Sequence, residues 1–186
     1  MDNDVSAGSG ITTVVGRLAL GITLLAFGLG YTGVIDGVSA ADAVSIAQYV
    51  GGIALFVAGL MALRDRDAAN GTAFVTLGAL WFTWAVSAAG SADAAGLFLS
   101  LFALVVLSLT LAGGDQLGQG AYGLFFVALV LMAVADFADS GGLAKVGGWF
   151  AVAAGAVAWY AATAALTHWP TALPRRAAGR GVTATG

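Results

Sequence analysis

The chain has 186 residues, 60% of them apolar and 9% charged, with a net charge of −3 and no cysteine. A soluble domain of this size carries about 25% charged residues, so water cannot be the solvent for most of this surface, and a soluble enzyme is excluded. The missing cysteines exclude disulfides, thiolate chemistry and cysteine-type zinc sites, and the small net charge points to no nucleic acid partner.

Residues 1–10 are polar and small and read as a disordered N-terminal tail. Asp2 and Asp4 stand where a cleaved signal peptide would carry basic residues, so none is expected. Six apolar stretches follow: Ile11 to Ile35, Val44 to Leu63, Thr72 to Ala89, Ala94 to Ala112, Ala121 to Phe137 and Leu143 to Trp169. Each has roughly the 20 residues a helix needs to cross a bilayer, and none alternates as a barrel strand does. Between them lie turn-forming clusters at Asp36–Gly37, Arg64–Asn70, Gly90–Asp93, Gly113–Gly120 and Asp139–Gly142. The predicted fold is all-α: a polytopic membrane protein with a six-transmembrane-helix bundle over residues 11–169, lodged in the cell membrane with lipid as its first partner. From 170 to 186 both prolines and three arginines make a basic, disordered C-terminal tail.

Orientation follows from the basic residues. Arg64 and Arg66 occupy the second connection, and Arg175, Arg176 and Arg180 the tail. An even number of spans puts these on one side, which the positive-inside rule makes the cytoplasm, together with both termini. The outer connections then hold Asp36, Asp42, Asp93, Asp136 and Asp139 against Lys145 alone. That field repels an anion modestly, within a screening length of roughly 8 Å.

Small residues recur inside the spans. Gly147, Ala151 and Gly155 fall at i, i+4 and i+8, as do Ala54, Ala58 and Ala62, and such rows let helix backbones approach closely. Polar residues at membrane depth are sparse. Arg17 can grip a carboxylate or snorkel to the interface. Asp136 and Asp139, at i and i+3, form a cation or proton site or simply a solvated helix end. Thr72, Thr76 and Thr83, the first two stacked at i and i+4, either line a polar path or bond back to their own helix. Asn70 is placed to cap the third helix. His168, the one histidine, is a pH-sensitive group or an interfacial residue. All ten carboxylates are aspartates. No catalytic group, metal cluster or cofactor site can be assembled from this set.

Several segments resemble those of the acetate uptake transporter family, six-helix proteins that include succinate–acetate/proton symporters. Gly51-Gly52-Ile53-Ala54 followed by Ala58-Gly59-Leu60 is similar to GGIAQxxAGLxE. Thr72-Ala73-Phe74, Thr76, Gly78 and Trp81 are similar to TAFxSYGxFW. Phe125-Phe126, then Gly148-Trp149, Gly155-Ala156, Ala158 and Tyr160, follow in consistent spacing, so the likeness spans about 11–168. Departures accompany it: the first-helix NPAPLGL is reduced to Ala19-Leu20-Gly21-Ile22 with Gly16 and Arg17 before it, and Leu55 and Ala62 replace the motif's Gln and Glu.

The resemblance implies a homo-oligomer, a hexamer, whose protomers each pass a small carboxylate such as acetate with protons. It places the family's hydrophobic constriction on Leu25, Leu77 and Ala128, with Phe126 beside it and Thr72 and Thr76 as polar contacts. Two alternatives stand beside this reading. One is a pore for a neutral solute or weak base, which the acidic outer face would not oppose; the other is a non-transporting scaffold or partner subunit that kept the fold.

Overall fold

A computed structural model of the chain describes residues 3–87, 91–167 and 169. The described residues are all helical, without strands. Helix α1 spans Asn3–Thr32 and α2 is the continuous segment Ala40–Arg64. They are followed by α3 (Ala68–Ser87), α4 (Ala92–Leu111), α5 (Gln116–Phe137) and α6 (Gly141–Thr167). Residues 3–10 thus extend α1 where the composition suggested an irregular tail, while residues 170–186 and His168 lie outside the described residues.

Local chemistry sets the helix ends. α1 stops at Thr32, three residues short of the expected Ile35, because Thr32 Oγ1 takes the Leu29 carbonyl and Gly33 turns the chain at φ +67. Ser91 and Asp115 cap α4 and α5 by accepting from the Ala94 and Gly118 amides. The cap of α3 is Asp67, which accepts from the Asn70 amide at 3.2 Å; Asn70 lies one turn inside and returns its side-chain amide to the same carboxylate. α2 is irregular. It opens with a 3₁₀ turn, Ala40–Ala43, and runs through a π-helical stretch, Ala47–Ala54, before ending as regular α-helix.

Two seams hold the bundle, and both rest on glycines seven residues apart. On α1, Gly21 and Gly28 face Gly155 and Gly148 of α6: a methyl on Gly28 would lie 2.6 Å from the Gly148 carbonyl oxygen. On α2, Gly52 and Gly59 face α3, whose own Gly71 and Gly78 lie against Leu63 and Phe56 of α2. The row read as Gly147, Ala151 and Gly155 thus splits between two neighbours, since Gly147 abuts Met132 and the Ala128 carbonyl of α5. In the second row Ala58 and Ala62 are buried and Ala54 is exposed, because Gly52 and Gly59 make the approach there. Without a hydrophobic drive between helices in lipid, this backbone-to-backbone packing supplies the attraction.

The helices form a ring in chain order. α1 packs on α2, α2 on α3, α4 on α5, α5 on α6, and α6 closes back onto α1. The exception is the pair α3 and α4, which scarcely touch. Large apolar side chains cover the outside, including Leu101, Leu104, Leu60 and Met61, all exposed. Five helices are long and apolar enough to cross a membrane. α3 has the length, but Asn70, three threonines and two tryptophans lower its hydropathy, and it is not among the five.

Candidate functional site

The loose α3–α4 seam leads to two cavities. One, of about 480 Å³, is lined by Tyr31 of α1, Ala40, Ala41 and Val44 of α2, Trp84 of α3, Phe98 and Leu99 of α4 and Asp136 of α5. The other, of about 470 Å³, is lined by Arg17 of α1, Asn70, Thr72 and Ala73 of α3, Leu109 of α4 and Asp115, Gln119 and Tyr122 of α5. Arg17 and Tyr31 are 14 residues apart on one helix, as are Tyr122 and Asp136 on another, so the two vestibules stand about 21 Å apart at 1.5 Å per residue. They open at opposite ends of the ring.

Between them the centre is filled. Leu20, Leu24 and Phe27 come from α1, Leu77, Leu80 and Trp81 from α3, Ala103 and Val106 from α4, and Phe125, Ala128 and Leu129 from α5, all buried in one cluster. Trp81 is its hub. Phe125 stacks on it at 5.6 Å, while Phe27 packs against it near a right angle at 5.0 Å. The π-helical stretch of α2 sets Gly51 against Trp81 and Thr23, where a methyl would lie 2.9 Å from the indole Cγ.

The plug is nearly devoid of polar atoms. Thr23 bonds its own helix at the Ala19 carbonyl, 2.8 Å away. Among the described residues, Trp81 Nε1 is the one buried side-chain polar atom without a hydrogen-bond partner. Leaving such a donor unmet costs about 1–3 kcal/mol.

The vestibules differ in charge. In one, Arg17 pairs with Asp115 across the mouth, joining α1 to the N-terminus of α5, so the guanidinium does not merely snorkel. The same carboxylate caps Gly118 with its other oxygen. Thr12 and Thr13 continue this polar rim by donating to Asp65 and Asp67. In the other vestibule Asp136 is the one acidic or basic side chain of the lining. Asp139, expected on the same face, has left the helix at φ +47 and is exposed, so the i, i+3 pair is broken.

The residues singled out from the sequence separate accordingly. Leu77 and Ala128 lie at the centre of the plug, each 0% exposed. Leu25 does not join them: it is half-buried against α6, where Gly155 admits its backbone, and Leu24 points inward in its place. Phe126 is partly buried at the edge of the cluster, and Phe125 is the ring that reaches Trp81. Thr72 lines the Arg17 vestibule, whereas Thr76 spends its hydroxyl on the Thr72 and Ala73 carbonyls. Thr83 faces outward, into a shallow groove on α2 and α3. Sequence reasoning missed Phe27, Tyr122, Gln119 and Trp84; the aromatic residues were visible, but nothing in a near-uniform apolar pattern marks which ring faces the axis.

The profile of the GPR1/FUN34/yaaH family matches residues 9–172. The chain belongs to the GPR1/FUN34/yaaH family. The match covers the stretch over which the motifs resembled the acetate uptake transporters, and it bears that resemblance out. No curated protein matches by sequence. Among solved structures, one described as that of the bacterial acetate channel SatP superposes with a TM-score of 0.78 at 22% identity, over 88% of this chain and 97% of that one. This GPR1/FUN34/yaaH protein therefore has the fold of that channel and is a multi-pass integral membrane protein. Leu77 stands where the resembled motif TAFxSYGxFW has tyrosine, and Gly16 and Arg17 stand in the segment that resembles NPAPLGL.

Proposed function

We propose that each chain is a pore for acetate or a similar short monocarboxylate, running from the Asp136 vestibule through the Leu24–Leu77–Ala128–Phe125 plug to the Arg17 vestibule. The observation that supports this most is the pair of vestibules at opposite ends of one ring, both bordered by α3 and α4, the pair of helices that scarcely touch. A scaffold that had lost its path would have no use for two cavities in register. All six helices cross the bilayer in this reading, α3 included, because it lies in the ring between α2 and the cavities. The connection with Arg64 and Arg66 faces the cytoplasm, which makes the Arg17 vestibule the inner one and the Asp136 vestibule the outer one.

A carboxylate must shed its hydration to enter a plug of leucine and phenylalanine, whereas the neutral acid sheds far less. The cargo therefore crosses the plug with its proton and is released at the inner vestibule, where Arg17 and the hydroxyl of Thr72 meet it. With a cargo pKa of about 4–5, the neutral fraction near pH 7 rises about tenfold for each unit of acidification. Protomers assemble as a hexamer. The groove lined by Ile53, Phe56, Val57 and Phe82, about 350 Å³ and almost wholly apolar, offers a contact for the neighbouring copy on the outer face of α2 and α3.

One feature favours a second reading. Asp136 at the outer mouth attracts a cation, so a weak base such as ammonium is the rival cargo. Radiolabelled acetate and methylammonium uptake into proteoliposomes, with and without an inward proton gradient, decides between them. Saturable acetate uptake that grows with the gradient is the expected result; acetate at the rate of protein-free liposomes, or methylammonium alone, rules the acetate reading out.

A further inference from the structure

The plug raises a question of selectivity that its shape does not answer. Leucine, alanine and phenylalanine side chains exclude ions of either sign and distinguish poorly between small neutral solutes. A hydrogen-bonding group within the plug would change that, and one is present without a partner.

We infer that the Trp81 indole N–H is the recognition donor of the pore, which a carboxyl oxygen of the cargo takes up as it crosses the plug. The inference rests on the carboxylate reading given above and deepens it. Trp81 is 1% exposed, and its Nε1 has no hydrogen-bond partner within the protein. Its ring surface is already engaged by Phe125, Phe27 and Trp84, leaving the N–H as the uncommitted part of the side chain. It stands three residues, about 4.5 Å along α3, from Trp84, which lines the Asp136 vestibule.

An indole N–H donates and cannot accept. It rewards a carboxyl oxygen, offers nothing to an ammonium group, and so works against the bias that Asp136 sets at the mouth. The nearby Thr23 hydroxyl donates to the Ala19 carbonyl and does not accept from the indole. Gly51 lets α2 approach the indole at its Cγ, where a methyl would lie 2.9 Å away, and this contact does not occupy the N–H. An aromatic residue kept only for packing would be served equally well by phenylalanine, without an unmet donor in its interior.

The test uses the full chain in proteoliposomes and in detergent. Trp81→Phe keeps an aromatic ring and removes the N–H; a second variant carrying β-(benzothiophen-3-yl)alanine at position 81 keeps the bicyclic shape and replaces only the N–H by sulfur. Acetate uptake is expected to fall about tenfold in both variants, the order of one hydrogen bond to a charged or strongly polar group. In ¹⁵N-tryptophan-labelled wild type, the indole resonance that disappears in Trp81→Phe is expected to shift on titration with acetate and not with methylammonium. Wild-type uptake in the benzothiophene variant overturns the inference, even where Trp81→Phe is impaired by the void it leaves. Wild-type uptake no faster than protein-free liposomes overturns the parent reading; the resonance still decides the donor, its shift with acetate supporting the assignment and its immobility overturning it.

Discussion

On the proposed pore reading, Arg17 and Asp115 are the residues at which the charge of the cargo is felt. The carboxylate of Asp115 is bound twice, by the Arg17 guanidinium and by the Gly118 amide at the start of α5. An arriving carboxylate competes for the first of these bonds only. Replacement of Asp115 by Asn keeps an acceptor for the Gly118 cap and releases the guanidinium, so the half-saturating acetate concentration for efflux is expected to fall. Arg17→Gln removes the cation and is expected to raise that concentration about tenfold, in line with one charge-assisted hydrogen bond. Concentration-dependent efflux from right-side-out vesicles measures both. How far such residues are legible varies with their chemistry. Thr72 is legible as a cavity-lining candidate because a hydroxyl stands out in an apolar helix, and Arg17 because a guanidinium there requires an explanation. Leu25 and Phe126 were displaced by one position each, to Leu24 and Phe125, since neighbouring leucines and phenylalanines look alike until helix rotation is known.

At the scale of the helices, glycine does the positioning. The α1–α6 seam brings Gly28 and Gly148 to backbone contact, so that a Cβ on either meets the other's carbonyl oxygen within 2.9 Å. Gly28→Val is expected to lower the detergent unfolding midpoint strongly, overpacking of this kind costing about 1–3 kcal/mol or more when backbone is the obstacle. Gly10, where nothing lies within 4 Å, is the control: Gly10→Ala is expected to leave the midpoint unchanged or raise it. Thermal unfolding followed by circular dichroism reads both. The helices themselves were legible, because roughly 20 apolar residues between turn clusters admit few alternatives in a bilayer. Their ends were less so. Thr32 with Gly33 stopped α1 early, and Asp67 took the cap assigned to Asn70, since local hydrogen bonds rather than hydropathy decide the last turn. The π-helical stretch of α2 was not legible at all; it depends on fitting Gly51 and Gly52 against Trp81 and Phe82, a tertiary demand.

For the whole molecule, the cysteine-free sequence makes topology directly measurable. Single substitutions Arg66→Cys, in the α2–α3 connection, and Asp36→Cys, between α1 and α2, are expected to react with a membrane-impermeant maleimide from opposite sides of the membrane. Labelling of both from the same side would contradict α2 as a membrane span, and labelling of Arg66→Cys from outside would contradict the proposed orientation. The ring order and the open α3–α4 seam could not be read from the sequence, because lipid-facing and ring-facing surfaces are both apolar here and the usual amphipathic signal is faint.

The central claim is that cargo passes through the vestibules and the plug between them. It is tested most directly by acetate uptake into proteoliposomes carrying Thr72→Cys, whose side chain lines the Arg17 vestibule, before and after reaction with a bulky thiol reagent, beside Leu104→Cys on the exposed outer side of α4 treated in the same way. Uptake that drops to the protein-free leak on labelling at position 72 and persists on labelling at position 104 is the expected result. Uptake that survives full labelling at position 72 would mean that the path does not run through this ring.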